Sequence, residues 1–439
     1  MRAVVIGLAV TGASVCRALL ARGASVTAVD DRGGEDVRRR AEDAGVELVE
    51  APAEERLAEL VAAADLVVVS PGVPASHPVF RTPTSGEVVS EVELASRWCR
   101  VPMVAVTGTN GKTTVVTLIT RMLAESGRRT VAAGNIGLPL IDAVEGEADV
   151  LVVEVSSFQL ALTRSFRPQV AVWLNLSEDH LDWHPDVCHY AASKARIWAN
   201  QRADDTAVVN AGDDIVMGWA TTGDTRVASR LVTFGPGGDY RVEGGRLLGP
   251  EGADLMAVAD MARALPHDVD NALAAWAAAA AAGATTAACA DVLRDFAGLP
   301  HRVALVGESG GVRFYDDSKA TTPASVLAAL AGFDSVVLIA GGRNKGLDLS
   351  VLRGGADHLR AAVAIGESAA EVEAALAPAV PVRRAGSMAE AVRMAASEAR
   401  PGDVVLLSPG CASFDWYRSY AERGYDFVRQ VRGLAEETS

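Results

Sequence analysis

Short runs of β-branched and apolar residues alternate along the chain with longer stretches in which apolar positions recur every three or four residues. That alternation predicts the α/β class, with parallel sheets built from βαβ units. Residues 3–6 read as a strand, 11–22 as a helix closed by Gly23, and 25–29 as a second strand ending at Asp30. A third strand over 66–69 runs into Ser70, Pro71 and Gly72, and a helical segment near 87–98 leads to Pro102. The pattern then restarts with the strand VPMVAV, a glycine-bearing turn, and a helix from Lys112 to about Ser126 with Gly127 as its C-terminal cap. A buried strand follows at 150–155. Residues 221–248 read as a peripheral excursion, and 271–290 as one alanine-rich buried helix. After GLPHR at 298–302, strands near 312–315, 336–339, 363–365 and 404–407 predict a third αβ unit. The boundaries fall at 1–98, 99–298 and 299–439.

Composition narrows the classes. With 49% hydrophobic and 22% charged residues over 439 positions, the chain folds and has ample core for several domains. Its 41 basic and 56 acidic residues leave a net charge of −15, which repels polyanions and argues against nucleic acid or an anionic membrane as partner. The apolar 271–290 stretch is mostly alanine, too weak in transfer energy for membrane insertion. Five scattered cysteines without a C-x-x-C spacing, and a start that reads as a strand rather than a signal peptide, fit a reducing cytoplasm. A phosphate-bearing ligand must therefore be held by local devices against an unfavourable overall field.

One such device is Thr107-Gly108-Thr109-Asn110-Gly111-Lys112-Thr113-Thr114, set between a predicted strand and a helix. Glycines let backbone N–H groups turn toward phosphate oxygens, Lys112 can reach terminal phosphates, and the Thr113 hydroxyl can ligate magnesium. Position 106 is Val, so the full G-x-x-x-x-G-K-[ST] pattern is not met; the context still predicts ATP or GTP binding. Glu154 ends an apolar strand, where a carboxylate at a sheet edge can serve magnesium. His180, with Glu178, Asp179 and Asp182, reads equally as a metal site or an acidic loop, and Lys194 alone reads as a solvated helix lysine. Gly7 and Gly12 with Asp30 suggest a dinucleotide turn, but G-x-G-x-x-G is absent and the glycines could serve only chain reversal.

GTNGKTT is followed in order by GNIG at Gly134, EVSSFQL at Glu154, NLSEDHLDWHP at Asn175, SKARIW at Ser193, PHDVDNALAA at Pro266, LPHR at Leu299, DDSKAT at Asp316, GGRNKG at Gly341 and SPGCASFDWY at Ser408. Over nearly its whole length the chain thereby resembles the Mur ligase and folylpolyglutamate synthase superfamily. DSKAT and SPGCASFD resemble its D-glutamate-adding branch. The resemblance implies an N-terminal Rossmann-like domain, a central P-loop domain and a C-terminal Rossmann-like domain. It also implies ATP and two Mg2+ ions, with Lys112, Glu154, His180 and Lys194 catalytic. Thr113, Glu154, His180 and a carbamylated Lys194 serve the metals, an ammonium there being repelled by two dications.

Nucleotide contacts carry over to Gly108, Asn110, Gly111, Lys112, Thr113, Thr114, Asn271, Arg302 and Asp317. Those to the UDP-sugar carry over to Val10, Thr11, Asp30, Arg32, Ser70, Gly72, Asn135 and Ser156. For D-glutamate, Lys319, Thr321 and Lys345 face the side-chain carboxylate, and Ser413 and Phe414 the α-carboxylate. The implied reaction joins D-glutamate to UDP-N-acetylmuramoyl-L-alanine through an acyl phosphate and a tetrahedral intermediate, in cytoplasmic cell-wall synthesis, by a monomer. Asp268, where the family commonly has Asn, and Thr322, after DSKAT, depart from the pattern. A ligase for another amino acid and a non-catalytic nucleotide or UDP-sugar sensor are the competing readings.

Overall fold

The computed structural model describes residues 1–437 and divides into two compact units. The first comprises Met1–Leu176, Trp183–Met261 and Asp270–Asp295; the second comprises Ser177–Asp182, Ala262–Val269 and the chain from Phe296 onward. The first unit holds two parallel sheets. One has the spatial order Glu47–Glu50, Ser25–Asp30, Arg2–Ile6, Leu66–Val69, Glu87–Ser90. The other runs Arg230–Phe234, Thr206–Asn210, Val170–Trp173, Met103–Thr107, Val150–Glu154, Thr130–Gly134. Strands such as Met103–Thr107 and Val150–Glu154 are buried at every position, which is why they read as unbroken apolar runs rather than alternating ones. In each sheet the connections reverse direction beside the central strand, leaving a crevice at the carboxyl ends where loops collect.

The second unit carries its own six-stranded sheet, ordered Ala304–Ser309, Val312–Asp316, Val404–Leu407, Val336–Gly341, Leu359–Ile365, Val382–Arg384. Only its first strand is antiparallel to its neighbour. The insert Ser177–Asp182 reaches this unit partly through Asp179, 3.9 Å from Lys345 Nζ. Ala262–Val269 joins it through Arg263, which donates to the Arg302 carbonyl at 2.9 Å.

Three expected elements differ. Glu87–Ser90 is an edge strand, and only Glu91–Ser96 is helical, because the Ser90 hydroxyl accepts from Glu93 N–H and caps the helix there. Within 221–248, Arg230–Phe234 is a strand of the main sheet, while Arg241–Glu243 and Arg246–Leu248 form a tight Gly244-Gly245 hairpin that Asp254–Ala257 extends. The alanine-rich stretch is two helices, Pro266–Ala281 and Thr286–Asp295; the Thr285 hydroxyl accepts from Ala288 N–H and starts the second. No helix among the described residues is long and apolar enough to cross a membrane.

Gly12 shows what its position demands: a Cβ there would lie 2.0 Å from the Gly7 carbonyl oxygen, so the first helix can approach the first strand only without a side chain. A buried carboxyl ties the helix Glu91–Ser96 to the helix Leu140–Ala143. Glu91 Oε1 accepts from Ile141 N–H at 2.6 Å, Oε2 has no hydrogen-bond partner among the described residues, and burial pushes the group from its ordinary 4.5 up to about 7. Between those pH values the folded chain retains a proton that the unfolded chain has released, so stability falls as pH rises through the window. Glu91→Gln keeps the acceptor for Ile141 and removes the charge. We expect it to melt like the parent near pH 4 and to be more stable at pH 8 by on the order of 2 kcal/mol; superimposable melting curves across that range would refute the linkage.

Candidate active site

At the carboxyl end of Met103–Thr107 the chain turns through Gly108–Gly111 and enters the helix Lys112–Glu125. Gly111 is left-handed (φ 83°), and a Cβ there would meet Asn271 Oδ1 at 2.5 Å, so only glycine both makes the turn and admits Asn271. No side chain caps this helix, which leaves its first N–H groups and the positive end of its dipole for an anion. The loop is braced from outside by Asn175, just beyond Val170–Trp173. Its Oδ1 accepts from Thr109 N–H at 3.1 Å and Asn110 N–H at 2.9 Å, and its Nδ2 donates to the Asn110 carbonyl at 3.3 Å.

Two lysines fold onto the same turn. Lys112 Nζ donates to the Gly108 and Thr109 carbonyls at 2.7 and 2.8 Å. Lys194, which reads from sequence alone as a solvated helix residue, is buried; its Nζ donates to the Gly108 carbonyl at 2.8 Å and lies over the Tyr190 ring at 4.6 Å. The Tyr190 hydroxyl is 3.2 Å from Thr109 Oγ1. Across the sheet edge, buried Glu154 accepts from Thr113 Oγ1 at 2.8 Å and from Asn135 Nδ2 at 3.1 Å. Thr114 is buried in the helix.

A hydroxyl and a carboxylate on adjacent elements suit magnesium, which keeps several waters and borrows phosphate oxygens rather than needing an all-protein cage. Among the described residues no group of three or more His, Cys, Asp and Glu side chains gathers as a metal cage. Ser156 caps the short helix Ser157–Ala161 in a reciprocal box with Gln159, which occupies its hydroxyl.

The first sheet presents a second carboxyl-edge site. Asp30 accepts from Leu8 N–H at 2.8 Å and Arg32 N–H at 3.0 Å, so both of its oxygens already organise the loops on either side. Ser70 Oγ donates to the Gly7 carbonyl at 2.7 Å. Val10, 62% exposed, and Thr11 start the helix Val10–Ala21 that follows the first strand, and Gly72 lies in the turn after Leu66–Val69.

In the second unit, Asp317 follows Val312–Asp316 and is buried. Desolvation raises its carboxyl to about 7, against the Ser408 hydroxyl at 2.7 Å, the Arg302 charge and Val303 N–H at 3.2 Å. Lys319 Nζ sits 3.9 Å over the Tyr420 ring. Lys345 faces Asp179, which also accepts from His180 N–H at 2.8 Å and lies 3.3 Å from His180 Nε2. Ser413 is buried, Phe414 is 61% exposed and Thr321 is half-buried. Arg423 binds the two loops together, donating to Ser318 Oγ at 2.9 Å, the Ser318 carbonyl at 2.8 Å and the Cys411 carbonyl at 3.1 Å. Burial lowers its guanidinium to about 10.

Sequence reasoning passed over Asn175, Tyr190, Tyr420 and Arg423. A polar residue closing the apolar run AVWL was the available signal for Asn175; the aromatic and arginine contacts depend on tertiary placement and had none.

Loop, acidic strand end and helix define a phosphate-binding α/β enzyme of the mononucleotide type. Residues 1–89 match the Mur ligase MurD-like N-terminal domain, 106–279 the Mur ligase middle domain, and 301–411 the Mur ligase glutamate ligase domain. The UDP-N-acetylmuramoylalanine--D-glutamate ligase of Desulfosudis oleivorans is 44% identical over 454 residues, spanning 99% of this chain and 97% of the relative. Its counterpart of the same name from Frankia casuarinae is 46% identical over 451 residues, spanning 98% and 93%. A pseudomurein peptide ligase type C from Methanothermus fervidus shares the fold across 100% of both chains, with a TM-score of 0.61 at 19% identity. The chain belongs to the Mur ligase family.

Asn175→Ala removes the side-chain brace on the loop, keeping the bond from Thr109 N–H to the residue 175 carbonyl and leaving Gly111, Lys112 and Thr113 in place. It should weaken binding of ATP, measured by calorimetric titration, by about tenfold, the equivalent of one net hydrogen bond. An unchanged dissociation constant would show that the loop holds its shape without it.

Proposed function

We propose that this chain is an ATP-dependent carbon–nitrogen ligase that joins D-glutamate to UDP-N-acetylmuramoyl-L-alanine, acting as a cytoplasmic monomer. The observation that carries the proposal is the Thr113–Glu154 pair, set at 2.8 Å beside an open helix N-terminus, in a chain matched over 98–99% of its length by relatives that bear that ligase's name. In this reading residues 1–98 hold the UDP-sugar, 99–298 the ATP and 299–439 the amino acid.

Joining a carboxylate to an amine requires an activated acyl group. ATP with magnesium supplies it when bound: the γ-phosphoryl group moves to the substrate carboxylate, and ADP leaves. The chain's own residues prepare that transfer. N–H groups from Gly111 onward and Lys112 hold phosphate oxygens and offset the charge spreading over the transferred group. Thr113 and Glu154 supply oxygen ligands, Asn135 orients the Glu154 carboxylate, and Lys194, as a carbamate, adds an anionic oxygen donor; His180 serves a second ion.

Asn271, Arg302 and Asp317 bind the nucleotide. The loop residues Val10, Thr11, Asp30, Arg32, Ser70 and Gly72, with Asn135 and Ser156, bind the UDP-sugar. Lys319, Thr321 and Lys345 receive the glutamate side chain, and Ser413 and Phe414 its α-carboxylate; two cations for a dicarboxylate suit a ligand that an acidic protein otherwise repels. The neutral amine attacks the acyl phosphate, the tetrahedral intermediate expels inorganic phosphate, and the amide remains. Excluding water from that step keeps the acyl phosphate from hydrolysis.

The test is to incubate protein, ATP, magnesium and UDP-N-acetylmuramoyl-L-alanine with D-glutamate, L-glutamate or neither, following phosphate release and product mass. We expect a new amide with D-glutamate only and none after chelation of magnesium. Product with the L isomer overturns the specificity, and phosphate without amide reduces the protein to an ATPase. Glu154→Gln should lower kcat on the order of 100-fold, and Lys194→Ala should lose most turnover; full activity of Lys194→Ala would remove the carbamate from the scheme.

A further inference from the structure

The segment that presents Arg302 is bent in a way side chains resist. His301 (φ 60°) and Val303 (φ 46°) flank it, both in the left-handed region. Histidine enters that region with modest difficulty, but for a β-branched residue such as Val303 it is a true outlier. Something must hold the segment there, and its contacts name the holder. His301 Nδ1 lies 2.6 Å from Asp316 Oδ2, Val303 N–H donates to Asp317 Oδ1 at 3.2 Å, and Lys319 N–H donates to the His301 carbonyl at 3.1 Å. Three bonds thus tie residues 301–303 to 316–319, with Arg302 between them.

The tie is buried and closely fitted. His301 is 6% and Asp316 1% exposed. Asp316 Oδ1 takes Ser318 N–H at 2.9 Å, which orients the carboxylate toward the imidazole. The helix Tyr420–Glu437 packs on the pair through Gly424, where a Cβ would fall 2.2 Å from His301 Nδ1 and 2.7 Å from Asp316 Oδ2. Among the described residues His301 Nε2 has no hydrogen-bond partner, so the bond to Asp316 is the one polar side-chain contact there that fixes the ring. The Arg302 carbonyl is held independently by Arg263 at 2.9 Å.

We propose that His301 and Asp316 form a latch that holds a strained backbone so that Arg302 and Asp317 face the nucleotide together. They are positioning residues, touching no substrate. The inference rests on the reading above that Arg302 and Asp317 bind ATP. A latch of this kind acts mainly on one substrate: its release lets the segment relax and withdraws Arg302, while the Lys319 N–H bond to the His301 carbonyl is main-chain and does not use the imidazole, and the amino-acid loops keep their own clasp at Arg423.

The test compares His301→Ala, His301→Asn and Arg302→Ala in the complete ligase assay, with KM for ATP and for D-glutamate and kcat measured separately, and melting temperature recorded. His301→Ala should raise KM for ATP about tenfold, with KM for D-glutamate and kcat changed less than about threefold. Asparagine tolerates the left-handed region and can place an amide N–H where Nδ1 stood, so His301→Asn should restore the ATP value to within about threefold. Three results overturn the latch: an unchanged KM for ATP in folded His301→Ala, equal rises for both substrates, or failure of asparagine to rescue. Arg302→Ala separates the layers. If it leaves ATP binding intact, the nucleotide role of Arg302 fails; if it weakens ATP while His301→Ala does not, only the latch fails.

Discussion

A chain of net charge −15 that binds a polyphosphate cannot rely on its overall field, so attraction must come from fixed dipoles and a few placed cations. The turn Gly108–Gly111 meets that constraint, and the rest of the first unit depends on its shape. Its carbonyls are engaged, Gly108 accepting from Lys112 and Lys194 and Asn110 from Asn175, and Asn175 takes the Thr109 and Asn110 N–H groups, so the N–H groups left for an anion are those at the uncapped start of the helix from Lys112. Lys112 therefore brings positive charge to the turn while satisfying the backbone polarity that would oppose an anion, and buried Lys194 engages the same Gly108 carbonyl. The same contacts place Tyr190 and, through Thr113, Glu154.

The two carboxyl-edge sites of the first unit solve related problems differently. At the phosphate turn, glycine supplies a left-handed residue and the helix starts with no side-chain cap. At the first sheet, Gly7 and Gly12 permit close packing of helix on strand, and Asp30 spends its oxygens on the N–H groups of Leu8 and Arg32. A carboxylate so placed adds negative charge where a pyrophosphate would otherwise approach. Glycines that read equally as chain reversal are thus required by packing, whatever ligand they serve.

Much of this was legible in the sequence because buried parallel strands are continuous apolar runs and the phosphate turn is spelled by glycines around a lysine. The strand positions near 66–69, 150–155, 336–339 and 404–407 emerged for that reason. What stayed hidden lacks such a local signature. Glu35–Ala44, Glu47–Glu50 and Glu54–Ala63 lie toward a sheet edge, with few buried positions and many charges, and look like polar connection. Glu87–Ser90 resembles a helix because its charged first residue and the capping serine precede a genuine one. At the site, a buried lysine has the same spelling as a solvated one, so Lys194 needed the family pattern or coordinates. Asn175, Tyr190, Tyr420 and Arg423 act through partners far along the chain.

The two departures from the family pattern show how a substituted position can be absorbed without a ligand. Asp268 accepts from Arg263 Nε at 2.7 Å and from Leu265 N–H at 3.3 Å, and thereby holds the arginine that grips the Arg302 carbonyl. An asparagine at 268 could accept the same bonds but would not match the guanidinium's charge. Thr322 caps the helix Pro323–Leu330, accepting from Ser325 N–H, and its hydroxyl lies 2.8 Å from Ser325 Oγ. Both changes therefore lie one step behind residues assigned to nucleotide or amino acid. Asp268 puts charge into the support of the Arg302 carbonyl, and Thr322 supplies the helix cap after DSKAT. In both places the side chain is spent on support within the protein, on an arginine at 268 and on a helix start at 322.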